Sequence, residues 1–165
     1  MGLLAIGIGP GDRVGIWSPN RVEWCLTQFA TAKIGAIMVC INPAYRLYEL
    51  EYALNKVGCK AIISAESFKT SFYLEMLQAL APELENCEAG ALVAEKLPHL
   101  KHVIRIVREK TAGMHNFSAV CQLGSAAEFS QLDVIEGRLH ANDPINIQFT
   151  SGTTGNPKGA TLSHR

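Results

Sequence analysis

The chain has 165 residues, with 15 Lys and Arg against 15 Asp and Glu, so its formal net charge is zero. Apolar residues make up 48 % and charged residues 18 %, a mix that excludes disorder, and the neutral balance excludes a nucleic-acid binder driven by a basic face. The length fits one domain or one piece of a larger one.

The opening segment MGLLAIGIGPG is apolar but short, and it lacks the basic flank of a signal peptide. Met1-Gly2 begins like a myristoylation signal, but Ile6 stands where a Ser or Thr is required. No Arg-rich amphipathic transit segment is present, and no run approaches the ~18 apolar residues of a membrane span.

Pro10-Gly11-Asp12 predicts a turn feeding a short apolar strand over 14–17. Pro19-Asn20 stops that strand. Asn20 is placed to cap a helix, with Glu23 at capping-box spacing. Val22, Cys25, Leu26, Phe29 and Ala30 recur at helical intervals and give this helix one apolar face, closed by Gly35. The unbroken apolar run 36–41 reads as a strand buried on both faces, hence part of a parallel sheet. Leu47, Leu50, Leu54 and Val57 mark a second helix ending at Gly58, and Ala61, Ile62 and Ile63 a further strand.

A third helix is expected over 68–80, stopped by Pro82. Residues 82–97 carry no strong period and read as a surface excursion, 103–107 as a strand, 108–116 as loop. Residues 117–140 look mostly helical, interrupted at Gly124 and Gly137. Ile145, Ile147 and Phe149 then alternate with Asn146, Gln148 and Thr150, a strand with one apolar face. The alternation of strands and helices implies an α/β fold of parallel βαβ units with right-handed crossovers.

Five cysteines, Cys25, Cys40, Cys59, Cys87 and Cys121, include no C-x-x-C pair and read as buried free thiols. Trp17 and Trp24 are expected in the core. His99, His102, His115 and His140 have no metal-ligand spacing and are expected at the surface. Asp12-Arg13 reads as turn chemistry.

The informative segment is T-S-G-T-T-G-N-P-K-G at 150–159. Gly152, Gly155 and Gly159 allow close backbone approach to a ligand. Thr150, Ser151, Thr153 and Thr154 add hydroxyl donors, successive backbone N–H groups can form an anion nest, and Lys158 supplies positive charge. These features suit a polyphosphate. Two familiar phosphate loops do not fit. The P-loop pattern fails because Lys158 follows Pro157 and precedes Gly159, and Gly7-Ile8-Gly9 fails the dinucleotide fingerprint because Asp12 takes the last glycine position.

The segment closely resembles the phosphate loop of the adenylate-forming superfamily, which contains acyl-CoA synthetases, luciferases and peptide-synthetase adenylation domains. Every fixed position of the family's T/S-S-G-S/T-T/S-G-x-P-K-G string is matched, and A-T-L-S-H at 160–164 is similar to its continuation. G-D-R-V-G-I at 11–16, S-P-N at 18–20 and I-N-P-A-Y at 41–45 are similar to the amino-terminal part of these ligases. E-L-E-Y-A-L-N-K-V-G-C-K at 49–60 and D-P-I-N-I-Q-F-T-S-G-T-T-G at 143–155 resemble the mitochondrial medium-chain acyl-CoA ligases among them.

The resemblance implies a fatty acid–CoA ligase. A carboxylate joins ATP to give an acyl-adenylate and pyrophosphate, and the thiol of coenzyme A then displaces AMP. It implies ATP, Mg2+, coenzyme A and a medium-chain fatty acid as ligands, with no nucleic-acid partner. Thr150, Ser151, Gly152, Thr153, Thr154 and Gly155 would wrap the β- and γ-phosphates. Lys158 would neutralise them as the catalytic cation, with Gly159 beside it and Pro157 stiffening the exit. His164 either shapes a ligand pocket or has a simple packing or surface role.

It also implies that residues 1–165 are part of the large amino-terminal domain of such an enzyme, cut at both ends and lacking the carboxy-terminal lid. The expectations that follow are no activity alone, mitochondrial or otherwise cytoplasmic residence, and aggregation through an uncovered sheet. A stand-alone ATP-binding module, or a non-catalytic variant pairing with the full-length ligase, are the competing readings.

Overall fold

The computed structural model describes residues 1–107, 109–150 and 156–165. A short helix α1 (Gly2–Ala5) precedes β1 (Arg13–Trp17), α2 (Val22–Lys33), β2 (Ile37–Cys40), α3 (Leu47–Val57) and β3 (Ala61–Ser64). Strands β4 (Ser67–Phe68) and β5 (Ser71–Phe72), helix α4 (Tyr73–Leu80) and a 3-10 turn (Pro82–Asn86) follow. Then come β6 (His102–Arg105), β7 (Met114–Asn116), α5 (Phe117–Gln122), α6 (Ala126–Glu136), β8 (Pro144–Thr150) and β9 (Lys158–Ser163). The expected α/β architecture is present.

One seven-stranded sheet runs in the order β7-β6-β3-β1-β2-β8-β9. Every pairing is parallel except β8 with β9. β1 is central because its residues are apolar on both faces: Val14, Ile16 and Trp17 are buried. Leu50, Ala53, Leu54 and Leu77 of α3 and α4 join Trp17 and Val39 in one core cluster. Leu3, Leu4, Val14, Ile16, Ile104 and Val120 belong to a second.

Several local expectations change. The Asn20–Glu23 cap does not form: Arg21 is the N-cap of α2, and its guanidinium takes the Glu23 carboxylate at 2.8 Å. A charge-assisted bond outcompetes a neutral cap. The predicted apolar face of α2 is turned outward, with Val22, Leu26 and Phe29 exposed. Thr27 and Thr31 face the sheet instead, their hydroxyls satisfied by the carbonyls of Glu23 and Thr27. The helix expected over 68–80 starts only at Tyr73, because β4 and β5 pair as a small antiparallel hairpin through Lys69 in the left-handed region.

Residues 82–97 are not a surface excursion: Leu84, Leu92, Ala94 and Leu97 are buried. Single apolar residues on irregular backbone leave no period to read. Within the expected loop 108–116, β7 adds a three-residue strand beside β6, too short to show alternation. Trp17 is fully buried, whereas Trp24 is half-buried. Of the thiols only Cys59 is buried; Cys25 and Cys121 are exposed.

Candidate functional site

β8 and β9 form an antiparallel hairpin in which Thr150 stands opposite Lys158 and Phe149 opposite Gly159. The Thr150 hydroxyl donates to the Lys158 carbonyl across the neck at 3.4 Å. The glycine-rich segment is thus held between two paired strands. Ser151, Gly152, Thr153, Thr154 and Gly155 lie outside the described residues. β9 itself was not expected from the sequence. Its signal was the alternation of Ala160 and Leu162 with Thr161 and Ser163.

Thr150 and Lys158 are exposed, and none of the ion pairs among the described residues involves Lys158. A lysine without a carboxylate partner, mounted on a hairpin neck, is chemically suited to a phosphate group. A Cβ at Gly159 would come within 3.1 Å of the Ile147 side chain, so any side chain there would press on β8.

The hairpin neck sits where β1, β2 and β8 end. Parallel α/β sheets bind ligands at the carboxyl ends of their strands. A cavity opens there, lined by Ser18, Asn20, Trp24, Cys40, Asn42 and Gln148. Two ring groups fix the turn after β2: Trp17 Nε1 donates to the Asn42 carbonyl at 3.1 Å and Tyr73 Oη to the Pro43 carbonyl at 2.7 Å. Beneath the cavity Asn146 is buried on β8, its amide donating to Gln28 of α2 and its carbonyl oxygen accepting from the Cys40 thiol.

His164 does not reach the loop. Ser163 pairs with Pro144, so His164 is exposed at the opposite end of the hairpin from Thr150. His99 and His140 are exposed as expected. His102 and His115 correct the surface expectation: their rings stack, with Nδ1 of His102 3.2 Å from Nε2 of His115, and His102 is buried. Adjacent β6 and β7 create this pair, which spacing in the sequence does not reveal.

Among the described residues no three His, Cys, Asp or Glu converge to hold a metal ion. The neck offers the Thr150 hydroxyl but no carboxylate, so these residues do not by themselves make a magnesium site. No helix among the described residues is long and apolar enough to cross a membrane.

A family model described as AMP-binding enzyme matches residues 1–165. The chain belongs to the AMP-binding enzyme family. Relatives it matches at 39–51 % identity are named as acyl-CoA ligases or synthetases. It is 50 % identical over 164 residues to the human protein named medium-chain acyl-CoA ligase ACSF2, mitochondrial, covering 99 % of this chain and 26 % of that one. The zebrafish (Danio rerio) protein of the same name is 48 % identical over 163 residues, covering 99 % and 27 %. The chain therefore spans about a quarter of the length of the curated relatives it matches.

Solved structures agree on the fold. The anthranilate CoA ligase AuaEII, solved with anthranoyl-AMP, matches with a TM-score of 0.73 at 24 % identity over 99 % of this chain and 27 % of that one. Acetoacetyl-CoA synthetase from Streptomyces lividans matches with a TM-score of 0.75 at 20 % identity, over 98 % and 23 %.

Proposed function

We propose that this chain carries the triphosphate-binding hairpin of an ATP-dependent, AMP-forming ligase that activates medium-chain fatty acids as CoA thioesters. The observation that carries the reading is the T-S-G-T-T-G-N-P-K-G string set between β8 and β9, with Thr150 and Lys158 paired at its neck. In this reading the substrate carboxylate attacks the α-phosphorus of ATP, and the bond to pyrophosphate breaks. Charge builds on the departing phosphates. Lys158 and the loop donors at Thr150, Ser151, Gly152, Thr153, Thr154, Gly155 and Gly159 stabilise that charge. The thiol of coenzyme A then attacks the acyl carbon, and AMP leaves. Magnesium would add charge neutralisation to the phosphates when bound.

Medium-chain preference and mitochondrial residence are supported by the names of the relatives. Because residues 1–165 correspond to about a quarter of those relatives, we propose that they form part of a larger adenylating domain and do not complete the reaction alone.

Calorimetry with Mg-ATP tests the site. Lys158→Ala is expected to weaken binding about tenfold, in line with one charge-assisted contact of about 1.5–3 kcal/mol partly screened by water. Unchanged affinity would remove Lys158 from the site. The chain incubated with ATP, magnesium, coenzyme A and octanoate is expected to give no octanoyl-CoA, and turnover sensitive to Lys158→Ala would overturn the claim of incompleteness.

A further inference from the structure

We propose that Tyr48 is a positioning residue for Lys158, tying the β8–β9 hairpin to helix α3; the inference rests on Lys158 serving as the phosphate-binding cation. Among the described residues β9 pairs with β8 alone, and its residues are nearly all exposed. β8 in turn is registered on β2 only from Asn146 to Gln148, so the pairing stops short of Thr150. The neck carrying Thr150 and Lys158 therefore projects beyond the sheet as a two-stranded ribbon, a form that is marginal by itself.

One hydrogen bond among the described residues links 156–165 to an element other than β8. Tyr48 Oη donates to Asn156 Oδ1 at 3.4 Å, across 108 residues of sequence. Its mount is firm. Leu50, Ala53 and Leu54 bury the inner face of α3, and Arg13 donates to the carbonyls of Val57 and Gly58 at the far end of the helix. A tyrosine brings few rotatable bonds to such a contact. Asn156 lies two residues before Lys158, separated from it by Pro157, whose fixed φ limits the play between them. A bond at Asn156 thus sets the origin of the lysine side chain without touching the nucleotide.

The test is a double-mutant cycle in this chain: unaltered protein, Tyr48→Phe, Asn156→Ala and both together. Two quantities are read: amide hydrogen exchange of residues 158–162 without nucleotide, and the Mg-ATP dissociation constant. An exposed neutral hydrogen bond predicts modest effects. Each single change should speed exchange and weaken ATP binding about two- to fivefold, with the double no worse than either single. Asn156→Asp, which keeps the acceptor, should retain slow exchange. Additive effects, or exchange unmoved by Tyr48→Phe, would overturn the tether. If the unaltered chain fails to bind Mg-ATP, the proposed function falls, and exchange alone decides whether Tyr48 anchors the hairpin.

Discussion

His102 shows how a single side chain takes its properties from neighbours distant in sequence. Burial, the adjacent His115 and the Lys60 ammonium hold its imidazole down to about 4, against the pull of Asp12. Burial lowers His115 as well. Lys60 is itself paired with Asp12 at 2.7 Å. In the unfolded chain an imidazole takes its proton near pH 6.5, whereas folded His102 does so only near 4. The folded state therefore keeps the full benefit of the neutral pair above about 6.5. It loses ground as pH falls from there to about 4, and levels off below. Urea midpoints at pH 7 and pH 5 should differ more in the unaltered chain than in His102→Phe; equal differences would refute the assignment. The sequence placed this residue at the surface, since its burial depends on β7 pairing beside β6. Trp17 was legible, because residues 14–17 of its strand carry no polar side chain, but its stacking partner Tyr73 at 3.8 Å was not. That contact crosses from β1 to a helix whose start the pattern misplaced.

Elements whose apolar residues keep one period were readable, and α3 is the example. Leu50, Ala53 and Leu54 face inward, Glu49 accepts from the Arg46 N–H at the amino end, and Gly58 ends the helix with φ of 60°. Gly58→Ala should cost about 1 kcal/mol for the left-handed backbone alone. A Cβ there would also stand 2.8 Å from Arg13 Nη2, which donates to the Gly58 carbonyl. A loss well above 1 kcal/mol in thermal unfolding would show that the arginine clamp is broken too; no loss would mean that the turn relaxes. Elements that broke the period were misread. Residues 82–97 bury isolated leucines, one in a short 3-10 turn and the others on irregular backbone. α2 shows a clean apolar period, yet that face points outward, because periodicity locates a face without saying what lies against it.

For the molecule as a whole, alternating strands and helices were enough to predict the parallel sheet, and one string of ten residues nominates the candidate site, five of them outside the described residues. The closing strand β9 went unread although Ala160 and Leu162 alternate with Thr161 and Ser163; it sets Lys158 opposite Thr150. An uncovered sheet is expected, but the exposed apolar side chains lie mostly on helices, with Leu162 on β9. Val22, Leu26 and Phe29 of α2 are 67 %, 51 % and 72 % exposed, Phe129 and Val134 of α6 are 61 % and 54 %, and β9 offers an unpaired edge. Such a surface favours self-association. Light scattering of this chain should show mass rising with concentration, and Phe29→Glu should reduce the rise. A monomer at all concentrations with a sharp two-state transition would contradict this.

The chain carries two tryptophans, and they divide the molecule between them. Trp17 is sealed in the core against Tyr73, while Trp24 stands in the wall of the cavity beside Gln148 and Phe149. Indole emission depends on the polarity around each ring. Trp17 is a built-in optical gauge of whether the sheet is folded, and Trp24 one of what enters the strand ends. Removing either ring leaves the other to report alone, so occupancy and unfolding can be followed separately in the same unlabelled protein.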